Sequence, residues 1–358
     1  MSRHSPLRSL HRLPGYLAAG GRPPRPPWHR RQGTIGPSGL CKIISGTRLD
    51  RPVRVCVAGA GGFLGLAIVR ALSAAGHEVR GLARSPDQAA RIRSAGGIAA
   101  VGDLLEPSSL LGPLAGCELA VHVAQPSDGD LGRMRRVRVE GATNLIDASK
   151  RSGVRRILIG SGYWVYRSSP DLLVEESPLS PLSISKVNFD TEEVARSAAL
   201  GGTVEAVVVR PGMVYGPGSW FAQMLDGIRK GTYRYVGDGA SYLSPVDLED
   251  AGEAFRVIAE RWLPGQTFLV VDDRPVTTRE FAEFVATSVG APPPSGIAFT
   301  EAAKEWGPDL ATLNAASRRA SNARLRALGW RPRYPSYIEG IPELLHGSVP
   351  AHRPSPPT

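Results

Sequence analysis

Residues 53–65 read VRVCVAGAGGFLG, an apolar run that breaks into glycines, and an amphipathic segment, LAIVRAL, follows at 66–72. This order indicates a buried strand, a tight turn and a helix. Such a turn points the first amides of the helix, at its positive dipole end, toward a phosphate group. Gly59, Gly62 and Gly65 have one more residue in the first gap than the usual dinucleotide fingerprint. We therefore predict that this stretch binds the pyrophosphate of a dinucleotide.

The positive charge of the chain is concentrated at its amino end. The 358 residues carry 43 Lys and Arg against 33 Asp and Glu, a net charge of +10. Residues 1–49 hold nine basic residues and no acidic one, which leaves 34 basic and 33 acidic residues in the rest of the chain. A nearly neutral body gives no electrostatic reason to expect nucleic acid or a membrane as partner. We expect a small-molecule substrate, and a homodimer is possible.

The two ends of the chain differ from its body. Both are rich in proline and lack apolar periodicity, so we expect them to be disordered. The Arg-rich amino end is either an organelle transit peptide or an extension ahead of the folded domain. The predicted organisation is a tail at 1–51, a dinucleotide-binding core at 52–175 completed by strands from about 203–214 and 241–272, a mainly substrate-binding region at 176–346, and a second tail at 347–358.

Neither a membrane helix nor a metal site is predicted. No stretch reaches the roughly 18 uncharged apolar residues that a membrane helix needs. Cys41, Cys56 and Cys117 lack the spacing of metal ligands, and the seven histidines are scattered. Free thiols fit a reducing compartment, so we expect a cytoplasmic protein unless the amino end directs import into an organelle.

Apolar runs and helical patterns alternate through the body of the chain. Continuous apolar runs separated by helices indicate a parallel sheet covered on both faces. We therefore predict an α/β fold, a Rossmann-type doubly wound parallel sheet with a smaller, interleaved C-terminal substrate-binding region. The predicted helices lie at 66–75, 86–95 and about 133–152, and the strands that follow the first one lie at 77–84, 98–103, 119–124, 156–161 and 204–210.

Several motifs resemble those of the extended short-chain dehydrogenase/reductases, also called the NAD-dependent epimerase/dehydratase family. The resemblance covers about residues 53–345, and its most specific motif is RPGMVYGPG at 210–218. It implies an NAD(P)-dependent oxidoreductase or isomerase. The cofactor-binding residues that it implies are Gly59, Gly62, Phe63, Leu64 and Gly65 at the phosphate turn, Asp103 and Leu104 beside the adenine, Ala124 and Lys186 at the nicotinamide ribose, and Pro211 and Val214 in the later motif.

The end of the second strand bears on the choice of cofactor. An acid there would accept hydrogen bonds from the ribose 2′-hydroxyl of NAD, whereas a cation would meet the 2′-phosphate of NADP. The strand ends in Arg84 and Ser85, and no acid follows until Asp87. This favours NADP, with NAD possible. The alternative is that Arg84 is a solvated residue at a strand end.

The chain departs from the catalytic pattern of the family. Lys186 matches the family lysine, but the tyrosine position four residues earlier is Leu182, which cannot transfer a proton. The family serine or threonine position is Gly162. Ser161 lies one residue away, and a one-residue slip on a strand end reverses the side-chain direction. Tyr163 is a candidate phenolic donor, with packing beside the substrate pocket as its alternative.

Two functions remain open from the sequence. One is an oxidoreductase or isomerase in which a nonstandard group, with Lys186, Tyr163 and Ser161 as candidates, replaces the missing tyrosine. The other is a catalytically silent NADP-binding protein that acts in regulation or assembly. The substrate is not identified by the sequence.

Overall fold

The computed structural model describes residues 47–48, 51–126 and 128–346. The predicted tails therefore lie largely outside the described residues. The exception is Thr47–Arg48, which forms a short strand antiparallel to Arg261–Trp262. These two residues fall within the stretch that the sequence analysis gives to the tail.

A seven-stranded parallel sheet forms the centre of the fold, in the order β3-β2-β1-β4-β5-β6-β7. The order reverses between β1 and β4, which is the doubly wound arrangement, and the fold prediction is confirmed. Ligands of such sheets bind at the carboxyl ends of the strands near this reversal. The strands are β1 (Arg54–Ala58), β2 (Glu78–Ala83), β3 (Ile98–Val101), β4 (Leu119–His122), β5 (Arg156–Gly160), β6 (Glu205–Pro211) and β7 (Thr267–Val270).

Both faces of the sheet are buried, which explains why its strands are apolar without interruption. On β1, Val55 and Val57 face one core cluster, whereas Cys56 and Ala58 face the other. Side chains alternate between the two faces of a strand, so a strand that is covered on both sides needs apolar residues at every position.

Helices cover both faces of the sheet. The longer ones are α1 (Phe63–Ala74), α2 (Pro86–Ser94), α3 (Gly141–Arg151), α4 (Ser183–Leu200), α5 (Ser219–Arg229), α6 (Leu248–Glu260), α7 (Thr278–Ser288) and α8 (Tyr337–His346). Shorter helices are Leu111–Leu114, Leu131–Arg135, Phe299–Trp306, Pro308–Ala315 and Ala323–Ala327, and 3₁₀ turns lie at Pro107–Leu110 and Tyr163–Val165.

The predicted helix at about 133–152 contains a π-helical segment, Arg136–Glu140, just ahead of α3. This segment brings Arg138 beneath the sheet edge, where its Nη2 donates to the Gly160 carbonyl at 2.7 Å. The Arg138 carbonyl lies 3.0 Å from Nε2 of His122 at the end of β4. Burial lowers the pKa of His122 to about 3, so this ring is neutral at pH 7 and serves packing.

Short strands outside the main sheet hold the C-terminal part together. They pair Met213–Tyr215 with Pro245–Asp247, Arg234–Val236 with Ser295–Ile297, Tyr242–Leu243 with Val276–Thr277, and Ser169–Leu173 with Arg318–Ala320. A separate apolar cluster here is rich in aromatic side chains, including Phe221, Phe281 and Tyr337. The assignment of this part to substrate binding stays a prediction.

Candidate active site

The phosphate turn connects β1 to α1, and its three glycines have different surroundings. Gly59 has a φ of +92°, and a Cβ there would lie 2.5 Å from the Ala124 nitrogen. A Cβ on Gly65 would lie 2.0 Å from the Gly59 carbonyl oxygen. Gly62 is exposed, and its Cβ would meet only that oxygen, at 3.2 Å. Gly59 and Gly65 therefore maintain the turn, whereas Gly62 faces the open side where a ligand would approach.

Helix α1 begins at Phe63 without a side-chain cap. Its N-cap residue is Gly62, and no acidic residue stands in its first turn. The first amides, which include those of Phe63 and Leu64, thus keep their capacity to bind an anion. Ala124 lies two residues beyond the end of β4, on the other side of the turn. This is the arrangement that a pyrophosphate site requires.

The structure brings Arg84 and Asp103 together at the ends of β2 and β3. Arg84 Nη1 lies 3.8 Å from Asp103 Oδ2, and the Arg84 side chain is 45% exposed. Ser85 caps α2 by accepting from the Gln88 amide at 3.3 Å, so its hydroxyl hydrogen remains available to a ligand. The Gln88 side chain accepts from the Arg84 amide at 2.9 Å, which fixes the backbone of this corner.

Leu104 and Pro211 are two further residues that the sequence analysis assigns to cofactor binding. Leu104 is buried in a core cluster with Leu145. Pro211 is the last residue of β6, and Val214 follows on the short strand that pairs with residues 245–247. The Val214 carbonyl accepts from the Trp220 indole at 2.6 Å. The predicted cofactor residues thus share one edge of the sheet, and their contacts with a cofactor stay a prediction.

Lys186 is exposed and paired with a carboxylate. Its Nζ lies 2.6 Å from Asp190 Oδ1, and Arg135 Nη1 lies 2.6 Å from the other oxygen of that carboxylate. Partial burial would raise the pKa of Asp190, but the hydrogen bonds from Lys186 and Arg135 outweigh it and lower the pKa. Asp190 is therefore a stable anion that orients Lys186.

Leu182 lies directly before α4, as its N-cap residue, and its carbonyl accepts from the Lys186 amide at 2.6 Å. Leucine and lysine are therefore separated by one turn, which is the spacing that the sequence predicts. The half-buried leucine presents only hydrocarbon, and its correspondence to the family phenol stays a prediction.

Ser161 is engaged in a buried network. Its hydroxyl donates to Glu192 Oε1 at 2.5 Å, and both oxygens of Glu192 accept from Arg210. Burial would raise the pKa of Glu192, but the Arg210 guanidinium outweighs it and the pKa is lowered. A hydroxyl held by a buried carboxylate favours a structural role for Ser161.

Tyr163 is buried in an apolar cluster with Leu269, Val271 and Ala320. Its ring packs edge-on against Trp164, with the centroids 4.8 Å apart. Burial raises the pKa of the phenol. These surroundings favour the packing alternative over proton donation.

The sequence analysis does not identify Asn188, which lies on α4 two residues after Lys186. A Cβ built on Gly162 would lie 3.3 Å from Asn188 Nδ2 and 3.4 Å from Trp164 Cδ1. The amide therefore lies beside the space that a side chain at Gly162 would enter. Its position on the same helix as Lys186 is the feature of the sequence that points to it. The direction of a side chain at the start of a helix, however, does not follow from spacing alone.

Buried acids anchor the C-terminal segment to the rest of the fold. Asp247 caps α6, and Asp250 accepts from the amides of Arg333 and Tyr334. Asp272 accepts from the Tyr337 amide at 3.0 Å. Burial raises the pKa of Asp247 to about 6 and that of Asp272 to about 8. The acidic group at 247–250 thus forms the start of α6.

Comparison with known proteins defines the class. The model of the NAD dependent epimerase/dehydratase family matches residues 55–270. The chain therefore belongs to this family, which confirms the resemblance seen in the sequence and the prediction of a nicotinamide dinucleotide as cofactor.

Three individual proteins illustrate the relationship. The chain is 29% identical to a Streptomyces 3-diazoavenalumate denitrifying reductase, over 81% of this chain and 99% of that one. It is 26% identical to a 2-alkyl-3-oxoalkanoate reductase of Stenotrophomonas maltophilia, over 67% of this chain and 77% of the relative. The human epimerase family protein SDR39U1, solved with NADPH, has the same fold, with a TM-score of 0.69 and 22% identity over 81% of this chain and 98% of that one.

Two further observations concern the described residues only. None of their helices is long and apolar enough to cross a membrane. Within the same residues, no group of three or more His, Cys, Asp or Glu side chains is arranged to hold a metal ion.

Proposed function

We propose that the chain is an NADP-dependent reductase that transfers a hydride to an apolar small-molecule substrate, a carbonyl compound being the simplest case. The observation that carries the proposal is the combination of two features, the phosphate turn between β1 and α1 and the Arg84 guanidinium after β2. The turn offers uncapped amides and an open face at Gly62. Relatives in the family that are named as reductases support reduction as the direction of the reaction.

Arg84 supports NADP over NAD. Its guanidinium is held near Asp103 but remains partly exposed, and Ser85 beside it can still donate a hydrogen bond. The carboxylate that would select the 2′-hydroxyl of NAD has no counterpart at residues 84–86. A 2′-phosphate at this corner would meet one cation and a helix N-terminus, both of which favour an anion.

Catalysis in this proposal does not use the tyrosine of the family. Hydride transfer needs the substrate oxygen to be held while negative charge develops on it. Lys186, fixed by Asp190, is available to the ribose hydroxyls of the cofactor. Neither Ser161 nor Tyr163 is free for the reacting oxygen, since the first is bound to Glu192 and the second is buried.

A second function is favoured by one specific observation. Two positions of the family pattern act on the reacting oxygen. In this chain they are Leu182 and Gly162, neither of which has a polar side-chain group. A protein that binds NADP for regulation or assembly would tolerate both changes. This alternative predicts cofactor binding without turnover.

The experiment that separates the two is a substrate panel. Purified full-length protein is titrated with NADPH and NADH by calorimetry, then incubated with NADPH and a set of aldehydes, ketones and diazo compounds. Loss of absorbance at the nicotinamide band, with the reduced product identified by mass, supports the reductase. Tight NADPH binding without turnover of any panel member supports the silent protein.

A further inference from the structure

Gly162 leaves a small space at the end of β5, and the space is bordered by two nitrogen-bearing side chains. A Cβ at Gly162 would lie 3.3 Å from Nδ2 of Asn188 and 3.4 Å from Cδ1 of Trp164. Asn188 brings a nitrogen within 4 Å of this Cβ, whereas Trp164 meets it with the ring carbon Cδ1. Both side chains are half-buried.

Neither N–H group is engaged elsewhere in the part of the chain that the structure describes. The indoles of Trp220, Trp262, Trp306 and Trp330 each donate to an oxygen, whereas that of Trp164 does not. The Asn188 amide likewise has no hydrogen-bond partner among the described residues. Donors withdrawn from solvent normally find a partner in the protein, in water or in a ligand.

The surroundings hold these donors in place. The Arg318 guanidinium lies over the Trp164 ring, 5.1 Å from its centroid, and Tyr163 packs against the ring edge. Arg318 is itself buried and donates to the Tyr166 carbonyl at 3.3 Å. Asn188 is within α4, whose first turn carries Lys186. The two donors are therefore mounted on ordered elements, which is what a preorganised site needs.

We propose that the Asn188 amide is the hydrogen-bond donor to the reacting substrate oxygen, in place of the side chain absent at Gly162. This rests on the proposed reductase function. The hydride leaves C4 of NADPH with its electron pair and bonds to the substrate carbon. The carbonyl π pair moves to oxygen, and the resulting alkoxide accepts from Asn188 Nδ2 and takes its proton from water, which is released to solvent as hydroxide. NADPH is oxidised to NADP⁺, and the carbonyl is reduced to an alcohol.

The side chains around the Gly162 space restrict the class of substrate. An amide donates a hydrogen bond but does not give up its proton at neutral pH, so the substrate must be reducible without a strong acid. The Trp164 ring presents apolar surface beside the donor, and Met213 packs in the cluster of Trp164. An uncharged carbonyl compound with a flat apolar group fits this lining.

The test uses Asn188→Ala and Asn188→Leu, the second of which keeps the side-chain volume without the donor. Turnover is followed as NADPH oxidation with 4-nitrobenzaldehyde, and NADPH affinity is measured by calorimetry. Both variants should lower kcat about 100-fold, as loss of one oxyanion donor does, while NADPH affinity stays unchanged. Ser197→Ala, an exposed change on the same helix, is the control and should keep the native rate.

A rescue variant separates a direct role from a structural one. Gly162 has extended backbone, with φ −170° and ψ 151°, which accepts any residue. Asn188→Ala with Gly162→Ser should therefore recover at least about tenfold of the lost rate, because the hydroxyl returns a donor to the same space. A native rate in Asn188→Leu, or no recovery in the double variant, overturns the inference.

The inference can also be decided if the native protein shows no turnover, a result that would refute the proposed function. Binding of 4-nitrobenzyl alcohol to the protein loaded with NADP⁺ is then the readout. The native protein should bind this alcohol at least about tenfold more tightly than Asn188→Leu, the cost of one lost hydrogen bond. Equal binding, or no binding by the native protein, overturns the role of Asn188.

Discussion

Replacing Arg84 by Asp should turn the cofactor preference away from NADP. A hydrogen bond between charged groups contributes about 1.5–3 kcal/mol, and the 45% exposure of Arg84 places it near the lower value. The new carboxylate would repel the 2′-phosphate by about 1 kcal/mol at 4 Å in water. Together these give about 2.5 kcal/mol, or about a 70-fold fall in NADP affinity relative to NAD.

Calorimetric titration of both cofactors into the native and variant proteins measures this ratio. Arg93→Asp is the matched control, because Arg93 is exposed in the last turn of α2 and carries the same change of charge. An unchanged ratio in Arg84→Asp would show that Arg84 is only solvated. An equal shift in the control would show that net charge, and not the position of Arg84, sets the preference.

Four further predictions test separate parts of the account. Gly62→Val should abolish NADP binding yet keep the melting temperature within about 3 °C, because the new side chain enters the open face of the turn; unchanged affinity by calorimetry would refute the site. Leu182→Tyr with Gly162→Ser should gain NADPH oxidation if the native protein is a silenced dehydrogenase, whereas a slower rate than the native one would show that Leu182 belongs to a pocket for other chemistry. Burial raises the pKa of Asp272 in the folded protein to about 8. The group therefore contributes its full stabilisation below the pKa that it has in the unfolded chain, and this contribution is lost as pH rises through about 8. The free energy of unfolding from urea titrations should therefore fall between pH 6 and pH 8, by up to about 1.4 kcal/mol per pH unit, and Asp272→Asn should flatten the fall; an equal slope in the variant would contradict this. Deleting residues 1–46 should leave NADP affinity and melting temperature unchanged, and a marked loss in either would show that this segment packs on the domain.

The parts of the fold that local sequence determines could be predicted. The strand, turn and helix around Gly59 follow from apolar runs and glycine spacing, because a parallel sheet buries both faces of its strands. The proximity of Arg84 and Asp103 follows as well, since β2 and β3 are neighbours whose ends meet at one edge.

The contacts that depend on long-range packing could not be predicted. Ser161 donates to Glu192, 31 positions away, and no spacing rule indicates that pair. Asp272 accepts from the Tyr337 amide across 65 positions. Asn188 illustrates the same limit at the proposed site: the sequence places it near Lys186, but only the packing of α4 against Gly162 shows where its amide lies.

The most direct test of the central claim is transfer of label from the cofactor. NADPH carrying deuterium at the transferable C4 position is incubated with the native protein and the aldehydes and ketones of the substrate panel. The masses of the products are then measured by mass spectrometry. The account predicts a reduced product with one deuterium on the former carbonyl carbon, formed by the native protein and not by Gly62→Val. Bound NADPH with no deuterium in any product would contradict hydride transfer and leave the protein as a cofactor-binding one.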